Sequence, residues 1–122
     1  MKSCKLSFAT IFAVQNNLAE LIVNEGIEID EIKVDELHDA LLNSFETPIS
    51  LLINKRHSFS YTFQAQIKIT QLKELKAIAI VIGTNGALMS TQTLMSVNKN
   101  VFDDIELFQE REEALTWLGE SN

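Results

Sequence analysis

Basic and hydroxyl side chains follow two apolar segments of this sequence. The first segment, residues 49–54, leads into a stretch with a lysine, an arginine and several hydroxyl residues, and the second, residues 77–82, leads through Gly83 into a polar turn. If both segments are parallel strands, these polar residues meet at the carboxyl edge of one sheet, where open α/β folds bind ligands. We therefore predict a rim there that binds an anion or a protein partner. Its members are Lys55, Arg56, Ser58, Ser60, Thr62, Thr84 and Asn85.

The chemistry predicted for this rim is electrostatic. Both connections lead into predicted helices, whose free backbone N–H groups and positive dipole ends attract anions. Lys55 and Arg56 add two positive charges. The acidic group would be a carboxylate of a partner or a phosphate, including one carried by Ser60 or Thr62. The alternative interpretation is that Ser60 only caps its helix while Lys55 and Arg56 are solvated.

The other reactive side chains do not form a recognisable catalytic motif. Nucleophilic catalysis needs a nucleophile, a base and an orienting group within reach of one another. Cys4 lies in a predicted edge strand, His38 flanks the apolar stripe of a predicted helix, and neither His38 nor His57 has an evident acidic partner. The sequence contains no Walker A loop, no Gly-x-Gly-x-x-Gly and no metal-ligand cluster. We expect a protein that is not an enzyme and that uses no cofactor or metal.

Composition narrows the class of protein. The chain has 122 residues, of which 46% are hydrophobic and 22% are charged, as in a soluble globular protein with one core. We expect a single domain over residues 1–122. The formal net charge of −7 argues against binding to nucleic acid. We interpret the apolar N-terminal stretch as a strand rather than a targeting segment, and one cysteine suits a reducing compartment, so we expect a cytoplasmic protein with no integral membrane segment.

The longest apolar run, residues 77–82, determines the predicted architecture. Its branched side chains favour a strand, and its lack of alternation indicates that both faces are buried, as in a parallel strand covered by helices. We predict a central position in the sheet for this strand. The order of elements is strand, strand, helix, strand, helix, strand, helix, strand, helix. This order predicts an α/β fold with a mixed sheet of about five strands, in which an N-terminal antiparallel hairpin precedes parallel β-α units.

Residue patterns place the elements of the first half. Alternation predicts a strand over residues 5–14 with one face formed by Leu6, Phe8, Thr10, Phe12 and Val14. Residues 18–23 return as its antiparallel partner. Asp30 is the predicted N-cap of a helix that runs to about residue 45 and ends before Pro48. The buried face of this helix consists of Val34, Leu37, Leu41 and Phe45.

The second half alternates between strands and helices. Ser60 is the predicted N-cap of a helix to about residue 75, whose inward stripe contains Phe63, Ile67, Ile69, Thr70 and Leu72. A further helix is predicted over residues 85–98. A last strand around Ile105 and Leu107 precedes a short helix over residues 110–118, in which Trp117 packs into the core and which Gly119 ends.

Three stretches resemble the SpoIIAA-like, or STAS/SEC14-type, domain proteins of bacteria. They are residues 25–30, Glu-Gly-Ile-Glu-Ile-Asp; residues 74–83, which contain the long apolar run; and residues 105–118. The third is the most specific, because a strand ending in Leu107-Phe108 is followed by an acidic turn and by Ala114-Leu115-Thr116-Trp117-Leu118. The resemblance covers nearly the whole chain and implies a SpoIIAA-like sheet with helices largely on one face.

The resemblance also implies a regulatory or protein-interaction module, with a protein partner or a homodimer, rather than an enzyme. In anti-sigma-factor antagonists of this type, a serine within Asp-Ser-Ser-Gly at the start of the second helix is phosphorylated and switches partner binding. The matching residues here, 59–63, read Phe-Ser-Tyr-Thr-Phe and lack the aspartate and the glycine. The alternative function is a carrier or sensor of a small apolar or lipid-like ligand, in a cavity lined by Phe45, Phe59, Phe63 and Met89, although core positions for these residues fit the sequence as well.

Overall fold

Eight strands and three helices make up the part of the chain that the computed structural model describes, which is residues 3–82 and 104–121. In chain order they are β1 (Ser3–Lys5), β2 (Ala9–Gln15), β3 (Leu18–Val23), β4 (Glu28–Ile29), α1 (Glu31–Ser44), β5 (Ile49–Asn54), β6 (Ser60–Tyr61), α2 (Phe63–Lys68), β7 (Leu75–Val81), β8 (Ile105–Phe108) and α3 (Arg111–Ser121). The helix predicted over residues 85–98 lies outside the described residues. None of the described helices is long and apolar enough to cross a bilayer.

Six of the strands form one mixed sheet in the order β1-β2-β3-β5-β7-β8. The pairs β1-β2 and β2-β3 are antiparallel, and β3, β5, β7 and β8 are parallel. This confirms the predicted α/β fold with an N-terminal hairpin and parallel β-α units. The long apolar run forms β7, which has a neighbour on each side, but β3 and β5 occupy the middle of the sheet. The predicted central position is therefore corrected to an interior one.

The first predicted strand is in fact two strands. Residues 6–8 bend between β1 and β2, and the Ser7 hydroxyl donates to Glu36 Oε1 of α1 at 2.6 Å. The bend separates Leu6 and Phe8 from the alternation of β2. Its most buried residues are Ala9 and Ile11, whereas Phe12 is 39% exposed. The predicted single face is therefore interrupted between Phe8 and β2, and the additional strand explains why the sheet has six strands.

Apolar side chains cover both faces of the sheet. On one face, residues such as Leu51, Ile53 and Ile78 pack against Val34, Leu37 and Leu41 of α1 and Ala65 of α2. On the other face, alternate residues pack against α3, in a second cluster that consists of Leu18, Leu52, Ala77, Ala79, Val81, Ala114 and Leu118. Two of the three described helices thus lie on one face. The burial of β7 on both sides explains why its sequence does not alternate.

The first helix has the predicted bounds. The Asp30 carboxylate accepts the Lys33 N–H at 2.9 Å and caps α1, which ends at Ser44. The cap thus provides an acceptor for one of the backbone N–H groups that have no intrahelical partner in the first turn. Its predicted buried residues, Val34, Leu37, Leu41 and Phe45, are at most 7% exposed.

The second helix begins later than predicted. Ser60 is an exposed residue of β6, its N–H donates to Ile27 O at 3.0 Å, and Thr62 is the N-cap of α2. The sequence places two hydroxyl residues two positions apart, and pairing of β6 with β4 decides between them because it holds Ser60 and Tyr61 extended. The helix ends at Lys68 rather than near residue 75. Its predicted inward residue Phe63 is 62% exposed, whereas Ala65 and Ile69 are buried.

The last helix is longer than predicted. It starts at Arg111 and continues through Gly119 to Ser121, so Gly119 does not end it. Ala114 and Leu118 are buried as expected. Trp117 is only half-buried and packs at the edge of the second cluster, with its ring 5.6 Å from that of Phe108.

Candidate functional site

Lys55 is a buried lysine at the carboxyl end of β5. Its backbone N–H donates to Val81 O of β7 at 2.9 Å, which places it at the sheet edge predicted for the rim. Its side chain points to two aromatic rings: Nζ lies 4.2 Å from the centre of the Phe59 ring and 5.5 Å from that of Tyr61. The residue is 3% exposed, and Nζ has no hydrogen-bond partner in the described part of the chain. The alternative interpretation of the sequence, in which Lys55 is solvated, is therefore wrong for this residue.

The surroundings of Lys55 weaken its charge. Burial lowers the pKa of Lys55 to about 8, because an ammonium loses hydration in an apolar environment. The faces of two aromatic rings attract a cation, which offsets part of this cost. Burial also raises the pKa of Tyr61, which stays neutral. Among the described residues this ammonium has no hydrogen-bonded counter-ion, and it lies at the edge where ligands of α/β sheets collect.

Arg56 points away from this group. It is exposed, and its positive charge acts on Glu20, which lies on the sheet face that packs against α3. Lys55 and Arg56 are adjacent in the sequence, but Lys55 is buried against the Phe59 and Tyr61 rings whereas Arg56 is exposed. The structure therefore separates the two cations that the sequence placed together.

Glu20 is the charged group that the sequence analysis missed. Its side chain is buried on β3 and receives bonds from Arg111 Nη2 at 2.9 Å and Arg111 Nε at 3.1 Å, and from Asn54 Nδ2 at 3.0 Å. Burial by itself raises the pKa of Glu20, but the bonds from Arg111 and Asn54 outweigh it and hold the pKa below its usual value. A single acid within the apolar segment of residues 18–23 is a sequence signal for such a pair, because a buried charge needs a partner. The pair attaches the start of α3 to the sheet.

The loop between β5 and β6 is already bound by an acidic side chain from the β3-β4 turn. Glu25 Oε2 accepts the Ser58 N–H at 2.7 Å and lies 4.0 Å from His57 Nδ1. Ser58 O also accepts the Gly26 N–H at 2.8 Å, so the Glu25-Gly26 turn packs along the loop. Gly26 has a φ of 78°, which glycine adopts without steric cost. The Ser58 N–H that would bind an external anion is therefore occupied.

The hydroxyl residues of the rim have separate roles. Thr62 Oγ1 accepts the Ala65 N–H at 3.1 Å and so acts as a cap. Ser60 is exposed, and its side chain makes no hydrogen bond with the described residues. Thr84 and Asn85 lie outside the described residues. The structure describes five of the seven predicted rim residues, and three of these, Lys55, Ser60 and Thr62, lie at the end of the molecule where α1 and α2 begin.

Two exposed apolar side chains lie at this same end. Strands β4 and β6 pair in parallel, with Glu28 opposite Ser60 and Ile29 opposite Tyr61, so the caps that follow them start α1 and α2 side by side. A Lys68–Asp35 ion pair at 2.8 Å joins the two helices. In the first turns, Ile32 is 78% exposed and Phe63 is 62% exposed. We call Ile32, Ser60 and Phe63 the helix-start face.

His38 contributes to the helix pair rather than to a catalytic group. Its Nε2 lies 3.1 Å from Ile69 O at the end of α2. Burial lowers the pKa of His38, which favours the neutral ring as a donor to this carbonyl. His57 lies in the β5-β6 loop beside Glu25, so the two histidines belong to different parts of the molecule.

Comparison with solved structures identifies the fold. The sequence matches no family model, and no curated protein matches it. An uncharacterised protein of the DUF3478 family from Shewanella loihica PV-4, described as having a SpoIIAA-like fold, superposes with a TM-score of 0.58 over 90% of this chain and 91% of that chain, at 18% identity. The chain has a SpoIIAA-like fold. At this level of identity the likeness establishes the SpoIIAA-like architecture and leaves function to the residues of the site.

Proposed function

We propose that this protein is a non-enzymatic, cytoplasmic regulatory module that binds another protein. The observation that carries the proposal is the helix-start face, where Ile32 and Phe63 expose most of their side chains. A partner that covers these side chains would remove them from water, which favours binding. Aromatic residues also supply much of the binding energy of protein interfaces. The SpoIIAA-like sheet supports this role by holding the two helix starts in a fixed relation.

The partner would present an apolar side chain beside an acidic group. Phe63 would provide the apolar contact. Lys55, against the rings of Phe59 and Tyr61, adds a positive potential at the same end. Ser60, which is exposed two residues before the α2 cap, is the hydroxyl at which a phosphate would alter this face.

The carrier of an apolar ligand is the alternative function, and it has less support. Phe45 precedes β5 and Phe59 follows it, so a six-residue strand about 20 Å long lies between them in the chain. Both are buried in the core, whereas Phe63 faces solvent. Met89 lies outside the described residues. Native mass spectrometry distinguishes the alternatives: a stoichiometric lipid-like adduct would favour the carrier, and a bound protein or a second copy would favour the module.

Substitution of the helix-start face tests the proposal. We expect Ile32→Ser combined with Phe63→Ser to leave the melting temperature nearly unchanged. The double variant should reduce partner capture at least tenfold, because an aromatic anchor at the centre of an interface commonly contributes about 2 kcal/mol or more to binding. The matched control is Phe12→Ser, which removes a partly exposed phenylalanine from a different part of the sheet. Capture is measured by quantitative affinity purification, and self-association by sedimentation velocity over a range of concentrations.

The result also separates the apolar from the acidic half of the proposal. Lys55→Met removes the positive charge at this end, whereas a glutamate at position 55 would bury a carboxylate and disturb the fold. We expect Lys55→Met to weaken capture, with a larger loss at low salt concentration, and Arg56→Glu, which changes a charge on the α3 side, to alter capture little. Equal capture by the wild type, the double variant and Phe12→Ser, together with no change in self-association, would overturn the helix-start face as the interface.

A further inference from the structure

A cleft of about 360 Å³ lies at the other end of β5 from Lys55. It is formed by the β2-β3 turn, by the last turn of α1 and by the residue that follows the helix. Its lining consists of Ala13, Gln15, Asn16, Asn43, Ser44, Phe45 and Glu46. We call this feature the amide cleft, because three of its seven lining residues carry carboxamides.

Backbone hydrogen bonds hold the walls of the amide cleft together. The Glu46 N–H donates to Asn16 O at 2.9 Å, and the Ser50 N–H donates to Asn17 O at 2.8 Å. These bonds join the β2-β3 turn to the segment between α1 and β5. A shift in register between Ala13 and Gln15 interrupts the regular pairing of β2 with β3 beside the cleft. The cleft is therefore a fixed depression rather than a gap between independent loops.

Two features make the amide cleft electronegative. The last turn of α1 contributes Asn43 and Ser44, and the carboxyl end of a helix carries the negative end of its dipole. That turn contains no basic residue, and Glu46 is the only charged side chain in the lining. Lysine, arginine or histidine side chains can donate hydrogen bonds to the free carbonyls at the carboxyl end of a helix, and the lining contains none of these residues.

The polar side chains of the lining are available to a ligand. Gln15, Asn16, Asn43 and Ser44 make no side-chain hydrogen bond with the described residues, and Glu46 makes no ion pair with them. Each carboxamide provides an acceptor oxygen with two lone pairs, and the carboxylate provides acceptors only. Each carboxamide also has an NH2 donor group, so the set can present acceptor oxygens to a cation beside one negative charge.

We propose that the amide cleft binds a small aliphatic ammonium ion. An ammonium group has three donors and no acceptor, which complements one carboxylate and the amide oxygens at the negative end of α1. The negative charge of the whole chain, −7, raises the local concentration of cations. This site lies at the opposite end of β5 from the helix-start face, so it is independent of the proposed protein-interaction function.

Titration with n-butylammonium chloride at low ionic strength tests this site. Backbone amide shifts in a ¹⁵N-labelled sample are followed, with butan-1-ol as a neutral probe of the same shape and sodium chloride as a control for simple cations. We expect saturable shifts for residues 15–16 and 43–46 with the amine, and only small shifts with the alcohol. Glu46→Gln should weaken binding by about two- to fivefold, the range for an exposed ion pair.

Two further variants distinguish binding at the cleft from a general effect of the net charge. Glu106→Gln removes one exposed carboxylate from β8 and should leave binding unchanged. Asn43→Ala should weaken binding without altering the net charge. Saturable shifts that are equal for the amine and the alcohol, or equal in wild type and Glu46→Gln, would overturn the proposal. It would also fail if the amine produced no saturable shifts at residues 15–16 and 43–46.

Discussion

The tertiary surroundings of Lys55 determine its burial and its pKa. In the sequence it begins a basic loop, and in the structure its ammonium lies against the rings of Phe59 and Tyr61 at 3% exposure. Burial lowers its pKa to about 8, from the 10.5 of a free side chain. This difference links the protonation of Lys55 to the stability of the protein.

The linkage has a definite sign. Below pH 8 both the folded and the unfolded chain hold the proton, and the folded state carries the full cost of a buried charge. Between pH 8 and 10.5 the unfolded chain binds more protons than the folded chain, so the contribution of Lys55 to stability rises with pH. Above about pH 10 the pKa of Tyr61, which burial raises, acts in the opposite direction, because tyrosine then ionises only in the unfolded chain.

Urea denaturation at pH 7.0 and 9.5 checks the linkage. Lys55→Met keeps a long apolar side chain and removes the titrating group, so the variant should be more stable than the wild type at pH 7.0. The difference should shrink by about 2 kcal/mol at pH 9.5, because this pH lies about 1.5 units above the folded pKa of about 8 and each such pH unit changes the free energy by roughly 1.4 kcal/mol. Lys73→Met, at an exposed lysine, should show the same difference from wild type at both pH values. If Lys55→Met also gives a constant difference, Lys55 is not buried as a free amine.

Strand pairing decides where α2 begins, which is a property of elements rather than of single residues. Ser60 and Thr62 are both reasonable caps by residue type. The β4-β6 pair extends through Tyr61, so the first residue free to start a helix is Thr62. The same geometry aligns Thr62 with Asp30 and sets the two helix starts beside each other.

Two alanine substitutions separate these interpretations. Thr62→Ala should lower the free energy of unfolding by about 1 kcal/mol, since it removes the acceptor of the Ala65 N–H. Ser60→Ala should change it by less than about 0.5 kcal/mol, as for an exposed residue without a special contact. Amide hydrogen exchange at Ala65 should become faster in Thr62→Ala only. A larger loss of stability in Ser60→Ala would return the cap to Ser60.

The whole molecule is organised by a sheet that is buried on both faces. Within β7, Ile78 and Ile80 belong to the cluster under α1 and α2, while Ala77, Ala79 and Val81 belong to the cluster under α3. The bidentate bond from Arg111 to Glu20 attaches α3 to β3 on its own face. The stability of the fold therefore depends on two packed layers rather than one.

Truncation of Ile80 tests the position of β7. Ile80 is fully buried, so Ile80→Ala should lower the free energy of unfolding by about 2–5 kcal/mol, the sum of lost burial and of the cavity that remains. Ile32→Ala removes the same atoms at 78% exposure and should change stability by less than about 0.5 kcal/mol. Both values come from chemical denaturation under identical conditions. Similar losses in the two variants would show that β7 is misplaced.

The sequence alone determined the features that depend on local periodicity and backbone chemistry. The unalternated run of β7, the stripe of α1 and the Asp30 cap were all predictable, because burial on one face or two leaves a fixed spacing of apolar residues. The order of elements predicted the mixed sheet, because a hairpin pairs antiparallel strands whereas strands joined through helices pair in parallel. The resemblance in residues 25–30, 74–83 and 105–118 added the SpoIIAA-like fold, which the structural comparison confirms.

Only the tertiary structure decided the features that depend on contacts between distant segments. Pairing of β4 with β6 makes Thr62, rather than Ser60, the N-cap of α2. The Glu25 carboxylate accepts the Ser58 N–H of the predicted rim. Packing against Phe59 and Tyr61 made Lys55 a buried amine, and the partner of Glu20 lies 91 residues away at Arg111. Spacing along the chain cannot reveal such pairs, because the free energy of a charged group depends on which groups the folded chain places around it.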